Sequence, residues 1–278
     1  MQNRIDAKFA QLRAARQCGL MAYLTGGDPN LGATVAIALA LADAGTDFLE
    51  IGVPFSDPLA DGLANQLGAQ RALTAGTTLP GVLGAVAEIR SATQMPIILY
   101  TYLNPIFQYG LDRFEHDASA AGADGVLLLD LPPDERLIPD PRALRLHRIR
   151  LVAPTTDDSR LQTITAGASG FIYYVSREGV TGEQKELAVS IPEKVAKIRQ
   201  YTTLPVAVGF GIANSIQAAA VAAVADAVVV GSAIVRRIGE NGRDPGLAHL
   251  IGDFARPLAE AVHAARLGPK ADDKSSRR

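Results

Sequence analysis

The sequence predicts an α/β chain folded as a single (β/α)8 barrel, the TIM-barrel architecture, with short extra helices. Three observations carry that expectation. Short runs rich in Val, Ile, Leu and Tyr recur eight times along the 278 residues. Ala-rich stretches with helical spacing lie between them. Strand and helix therefore alternate, as βαβ units around a parallel sheet do. Eight such units in about 260 residues fit a closed barrel. The rival is a doubly wound open sheet, which usually offers a Gly-rich dinucleotide turn after its first strand. Here Gly26-Gly27-Asp28-Pro29 is not G-x-G-x-x-G.

Each element follows from local pattern. Strands are expected at 20–24, 47–53, 95–102, 125–130, 150–154, 170–176, 204–210 and 225–230. Several are apolar on both faces, as parallel strands covered by helices should be. Helices are expected at 33–44, 80–93, 111–121, 159–166, 191–201, 215–224 and 245–266, with a short extra one at 232–238. Three of them stop at Ala-Gly: Ala44-Gly45, Ala121-Gly122 and Ala166-Gly167. Glycine just past a helix end is the expected stop. Residues 1–268 form one domain in this reading, and the polar tail 269–278 is expected to fray.

Composition narrows the function. Apolar residues make up 48% and charged residues 20%, enough to bury a large core. Lys+Arg 27 against Asp+Glu 29 leaves a net charge of −2, so no bulk field draws in nucleic acid or an anionic membrane. Trp is absent and aromatics are 5%, which disfavours a stacking platform for single strands. Cys18 is the one cysteine, so an intrachain disulfide is excluded. A reducing cytoplasm fits. The opening Met1-Gln2-Asn3-Arg4-Ile5-Asp6 has no apolar core of a secretory signal. The longest apolar runs are about ten residues, half of a membrane span. The chain reads as soluble.

Active sites of such barrels sit at the C-terminal ends of the strands. Glu50 is an acid inside the apolar run Phe48-Leu49-Glu50-Ile51-Gly52, and its side chain faces away from Leu49 and Ile51. If it faces the barrel interior, burial raises its pKa and suits it to acid–base work. The alternative is an acid paired with a cation for structure. The following loop, 53–62, holds Asp57 and Asp61, each a candidate site residue. Asp57-Pro58 is equally a turn, and Asp61 is equally a helix N-cap.

Glycine turns follow the last three strands: Gly179-Val180-Thr181-Gly182, Gly209-Phe210-Gly211-Ile212 and Gly231-Ser232-Ala233-Ile234. Loops after strands seven and eight, with the start of a short helix, often bind phosphate in barrels. The alternative is ordinary strand-to-helix turns. His116, His147, His249 and His263 fall on expected helices or connectors, in no metal-ligand motif, and read as surface residues. Cys18 reads as a small apolar residue. No G-x-S-x-G or Walker sequence occurs, and no lysine lies at a strand end; Lys185, Lys194 and Lys197 are in loop or helix. A Schiff-base mechanism is therefore disfavoured.

The run from Leu49 to Gly62, Leu-Glu-Ile-Gly-Val-Pro-Phe-Ser-Asp-Pro-Leu-Ala-Asp-Gly, resembles the signature of the tryptophan synthase alpha chain family. The match continues through Gly26-Gly27-Asp28-Pro29, Tyr102-Leu103-Asn104-Pro105, Asp130-Leu131-Pro132, Ala153-Pro154-Thr155-Thr156, Ser176-Arg177 and the three glycine turns. It spans about residues 3–266 in order.

The resemblance implies retro-aldol cleavage of indole-3-glycerol phosphate to indole and glyceraldehyde 3-phosphate. Glu50 would be the acid–base and Asp61 would accept the indole N–H. Gly182, Gly211, Gly231 and Ser232 would hold the phosphate. Phe210, Tyr173 and Leu127 would line the indole pocket, and Thr181 would bond Asp61 when loop 177–184 closes. The family needs no metal or organic cofactor in this chain. It works with a beta chain that carries pyridoxal phosphate, as an alpha2-beta2 heterotetramer in the cytoplasm. Contact with that partner would fall at Asp57, Pro58, Asn104-Pro105 and Pro132.

The chain departs from the family pattern at Leu63-Ala64-Asn65-Gln66, where proline usually follows Gly62. Its loss implies a looser loop. Asn65 replaces an apolar residue expected near indole, Tyr100 stands where an apolar residue is common, and Glu178 puts an acid near incoming phosphate. A stand-alone lyase and a mainly regulatory subunit for the beta chain are the other readings.

Overall fold

The computed structural model describes residues 2–135, 146–175, 184–209 and 211–265, with side chains of 184–190 excepted. Eight parallel strands close into a barrel in chain order. They are β1 Gly19–Thr25, β2 Phe48–Gly52, β3 Ile97–Thr101, β4 Gly125–Leu128, β5 His147–Val152, β6 Ile172–Val175, β7 Val206–Gly209 and β8 Ala227–Val230. The expected strands are all present. β5 begins three residues before the expected start, which places His147 on a strand rather than on a helix or connector.

Strand parity divides the core in two. Met21, Phe48, Ile98, Leu127, Ile149, Phe171, Tyr173, Ala207, Ala227 and Val229 fill the barrel. Their neighbours Leu20, Leu49, Ile51, Leu99, Val126, Val208 and Val228 pack outward against the helices. Parallel strands buried on both faces need this double apolar set.

The expected helices around the barrel are present as α2 (Leu31–Asp43), α4 (Leu79–Ala92), α6 (Leu111–Ala121), α7 (Asp158–Ala166), α8 (Gln184–Ile198), α9 (Ser215–Ala222), α10 (Ser232–Asn241) and α11 (Leu247–Ala264). Two further helices, α1 (Arg4–Ala15) and α5 (Leu103–Tyr109), are absent from the sequence reading, which implies α3 (Leu63–Thr74) only through the cap alternative for Asp61. Of these, α1 closes the barrel floor. It buries Ile5, Phe9 and Leu12, and the Phe9 ring lies 4.5 Å from Phe48 and 5.8 Å from Phe171. Aromatic contacts at that range add to simple burial.

The floor also carries a repeated polar staple. Asp47, Asp124 and Asp226 each precede a strand and are buried. Each accepts an amide of the preceding strand: Leu20 N–H at 2.9 Å, Ile97 N–H at 2.9 Å and Val206 N–H at 2.9 Å. Each is also paired with cations, His263 and Lys8 for Asp47, Arg90 and Arg4 for Asp124, and Arg199 for Asp226. Buried carboxylates are tolerated only when paired in this way. His263 is drawn into this network, and its pKa is raised by its bond to Asp47. His147 bonds Asp6 at 2.9 Å. Both histidines are therefore structural partners of acids rather than free surface groups.

Candidate active site

The opposite end of the barrel is its mouth. Glu50 sits on β2 with the same parity as Phe48, so its side chain enters the barrel. It is fully buried, and neither carboxylate oxygen has a hydrogen-bond partner among the described residues. Burial, and then the charge of Asp61, raise its pKa from 4.5 to about 8. At neutral pH Glu50 is a protonated acid without a partner among the described residues.

Tyrosines surround it. Tyr23, on β1, is the strand neighbour of Glu50, and its ring lies across Gly52: a Cβ there would meet Tyr23 Oη at 2.3 Å. Tyr173 on β6 lies across Gly209 in the same manner, 2.9 Å from a Cβ at that position. These two glycines give the phenols room at the mouth. Tyr100 on β3 meets Tyr23 edge to face at 5.1 Å. Leu127, the neighbour of Tyr100 on β4, completes the apolar wall.

Asp61 reaches the same mouth from the loop between β2 and α3. Tyr102 Oη donates to its Oδ2 at 2.8 Å, and Tyr100 Oη donates to its Oδ1 at 2.9 Å. Asn65 Nδ2 adds a longer contact to Oδ1 at 3.4 Å. Burial raises the Asp61 pKa, and these three donors oppose that rise by favouring the carboxylate. Burial and the Asp61 charge raise the pKa of both phenols, so both remain donors.

Asp61 is not a helix cap. Gly62 occupies the N-cap of α3, with no side-chain cap bond. The loop is tied at its far end by two bonds: Tyr102 Oη accepts Ala60 N–H at 3.0 Å, and Gln66 Nε2 donates to Asp61 O at 2.9 Å.

The glycine turns that can be placed stand at the ends of β7 and β8. Gly211 has φ +48°, a left-handed conformation that glycine adopts without strain. Gly231 is the N-cap of α10, and its carbonyl accepts the N–H groups of Ile234 and Val235. The earlier amides of α10, including that of Ser232, have no acceptor within the helix and carry its positive dipole end. Ser232 is half-exposed there. Gly182, Thr181 and Phe210 lie outside the described residues, as does Glu178.

Asp57, Asn104 and Pro132 are exposed on the rim and Pro58 is half-buried. Asp57 accepts Ser56 Oγ at 2.6 Å, and its carbonyl accepts Leu59 N–H, so the segment is a turn. In the same loop Leu59 is 89% exposed, Leu63 at the start of α3 is 70% exposed, and Phe107 on α5 is 61% exposed. Among the described residues no three His, Cys, Asp or Glu side chains gather as metal ligands.

Sequence reasoning gave Tyr23 no place, named Tyr102 only within the family match, and noted Tyr100 and Asn65 only as departures. The signal was spacing: Tyr100 follows Ile98 by two along β3, so both share the inward face, and Tyr102 continues the interval just past the strand end.

A family model described as tryptophan synthase alpha chain matches residues 9–253. The chain is 50% identical over 259 residues to the tryptophan synthase alpha chain of Opitutus terrae, covering 91% of this chain and 97% of that one. It is 48% identical over 262 residues to the tryptophan synthase alpha chain of Geobacter sulfurreducens, with 94% and 99% covered. Among solved structures, tryptophan synthase subunit alpha from Legionella pneumophila superposes with TM-score 0.84 at 38% identity, covering 94% of this chain and 99% of that one. A structure of Mycobacterium tuberculosis tryptophan synthase gives TM-score 0.85 at 36% identity, with 96% and 100% covered.

Proposed function

The chain belongs to the tryptophan synthase alpha chain family, and on that premise we propose that it cleaves indole-3-glycerol phosphate to indole and glyceraldehyde 3-phosphate. The buried, unpartnered Glu50 carboxyl beside Asp61 is the observation that carries this reading.

The step balances with these two acids. Glu50 gives its proton to the ring carbon that bears the glycerol chain. The ring nitrogen becomes a cation, and the Asp61 carboxylate, taking the N–H as acceptor, stabilises it. The Glu50 carboxylate then removes the proton of the side-chain hydroxyl. The carbon–carbon bond breaks, its electron pair restores the aromatic ring, and the hydroxyl carbon becomes the aldehyde. Glu50 ends protonated again. Asp61 favours the charged intermediate over the neutral substrate, which is the kind of binding that raises rate.

Gly211, Gly231 and Ser232 hold the phosphate through backbone amides together with Gly182. The α10 N-terminus supports that assignment. Thr181 bonds Asp61 when loop 177–184 closes. Leu127, Tyr173 and Phe210 line the indole site, and the buried inward positions of the first two support it. The reaction asks for no cofactor in this chain.

The partner is a beta chain that carries pyridoxal phosphate and consumes indole, in a cytoplasmic alpha2-beta2 assembly. The rim around Asp57, Pro58, Asn104 and Pro132, with Leu59, Leu63 and Phe107 exposed beside it, is its docking surface. Among the described residues no single helix is long and apolar enough to cross a membrane.

The test is indole release from indole-3-glycerol phosphate by the purified chain, alone and with saturating beta chain. Slow release alone with strong stimulation is expected. Fast unstimulated release would instead favour a stand-alone lyase. Glu50→Gln should lower release by about a thousandfold, within the usual range for losing a general acid–base. Full beta-chain stimulation with no indole release by the wild type would leave a regulatory subunit.

A further inference from the structure

We propose that Tyr100 and Asn65 are positioning residues that aim Asp61 at the nitrogen of the bound ring through a shared grip on its Oδ1. The inference rests on the proposed reaction, which brings an indole N–H to Asp61.

Asp61 lies on a rim loop whose neighbours Leu59, Ala60, Gly62 and Leu63 are all exposed. The backbone there does not dictate where the carboxylate points, because the helix that follows begins without a side-chain cap. Side chains decide it. Tyr102 takes Oδ2, while Tyr100 and Asn65 converge on Oδ1. The Tyr100 end of this grip is rigid. Its residue belongs to β3, its ring packs edge to face on Tyr23, and Tyr23 is wedged over Gly52.

A carboxylate oxygen offers two lone-pair directions. Among the described residues Oδ1 meets two donors and Oδ2 one, so an open direction lies on Oδ2. That is where the ring N–H would bond. The polar pair is a tether that sets the direction of Asp61 before substrate arrives. Pre-aimed acceptors avoid reorganisation at the moment of reaction.

The test compares binding of indole with that of 1-methylindole, which lacks the N–H. The chain has no Trp, so indole emission is read against tyrosine alone. Wild type should prefer indole, and Tyr100→Phe should erase most of that preference, about tenfold for a bond to a charged acceptor. Its affinity for 1-methylindole should not change. Asn65→Ala should lose a smaller part, as its contact is longer, and it stands in if Tyr100→Phe fails to fold. A preference that survives Tyr100→Phe overturns the proposal. So does an equal loss for both ligands, because the phenol would then only fill space. A wild type without any preference overturns the proposal together with the role given to Asp61. Cleavage of indole-3-glycerol phosphate by the wild type, measured alongside, tells that case from failure of the tether alone.

Discussion

Glu50 shows how one side chain links stability to chemistry. Its folded pKa of about 8 lies above the ordinary 4.5. The folded state thus binds the proton more tightly than the unfolded chain. The stability this confers is fully present below 4.5 and is lost as pH rises through about 8. Every tenfold difference in proton affinity between the two states corresponds to about 1.4 kcal/mol. Glu50→Gln, which cannot ionise, should therefore melt above wild type at pH 9 and close to it at pH 5. Thermal melts across that range check the sign; a variant that tracks wild type at both ends would mean that Glu50 is solvated. The same substitution removes the acid, so activity and alkaline stability should move in opposite directions. Tyr102 has a different task. Its hydroxyl accepts from Ala60 N–H and donates to Asp61. Tyr102→Phe keeps the ring packed at a tilt against Phe55, 5.3 Å away, and deletes both bonds.

The consequence of that deletion appears in the loop between β2 and α3. Hydrogen exchange at Ala60 and Asp61 should speed up in Tyr102→Phe, while amides inside the barrel strands keep their protection, since local opening needs only local contacts to go. Uniform acceleration would instead mean a global loss of stability. The missing proline after Gly62 predicts a looser loop, yet the loop here is tied by Tyr102 and by Gln66. The floor helix α1 makes a second case. Phe9 is buried against two phenylalanines of the barrel. Phe9→Ala should destabilise the protein by about 3–5 kcal/mol, as large-to-small changes in a tight core do. A urea midpoint shift measures it, and a shift of a few tenths would mean that α1 only rests on the barrel.

Across the whole molecule the two ends of the barrel divide the labour. Chemistry-bearing groups gather at the mouth, whereas the buried aspartates of the floor satisfy strand amides and cations. Asp124 holds Ile97 N–H, Arg90 and Arg4. Arg4 is 38% exposed and screened, so Asp124→Ala should remove about 2–3 kcal/mol rather than the full value of a buried pair. The kcat/KM for indole-3-glycerol phosphate should stay within a factor of about two below the melting range, because additivity holds for distant sites. A large loss of activity from folded protein would show that floor and mouth are coupled. The rim with Leu59, Leu63 and Phe107 completes this polarity.

The alternation of strands and helices was legible because each element's period is local to its own residues. Glu50 was legible for the same reason: a single acid of inward parity in an apolar strand stands out. The helix α1 was not, because its three large apolar residues lie among Lys, Arg and Gln and gain meaning only against the barrel floor. The histidine pairs His147–Asp6 and His263–Asp47 join residues far apart in the chain, so no local motif announces them. The grip on Asp61 is the clearest case. Its donors come from β3, from the cap of α5 and from α3, and only closure of the barrel brings them to one carboxylate. Composition and periodicity report what each segment would bury. Which polar groups then face each other depends on register and loop path, and those are settled when the elements pack together.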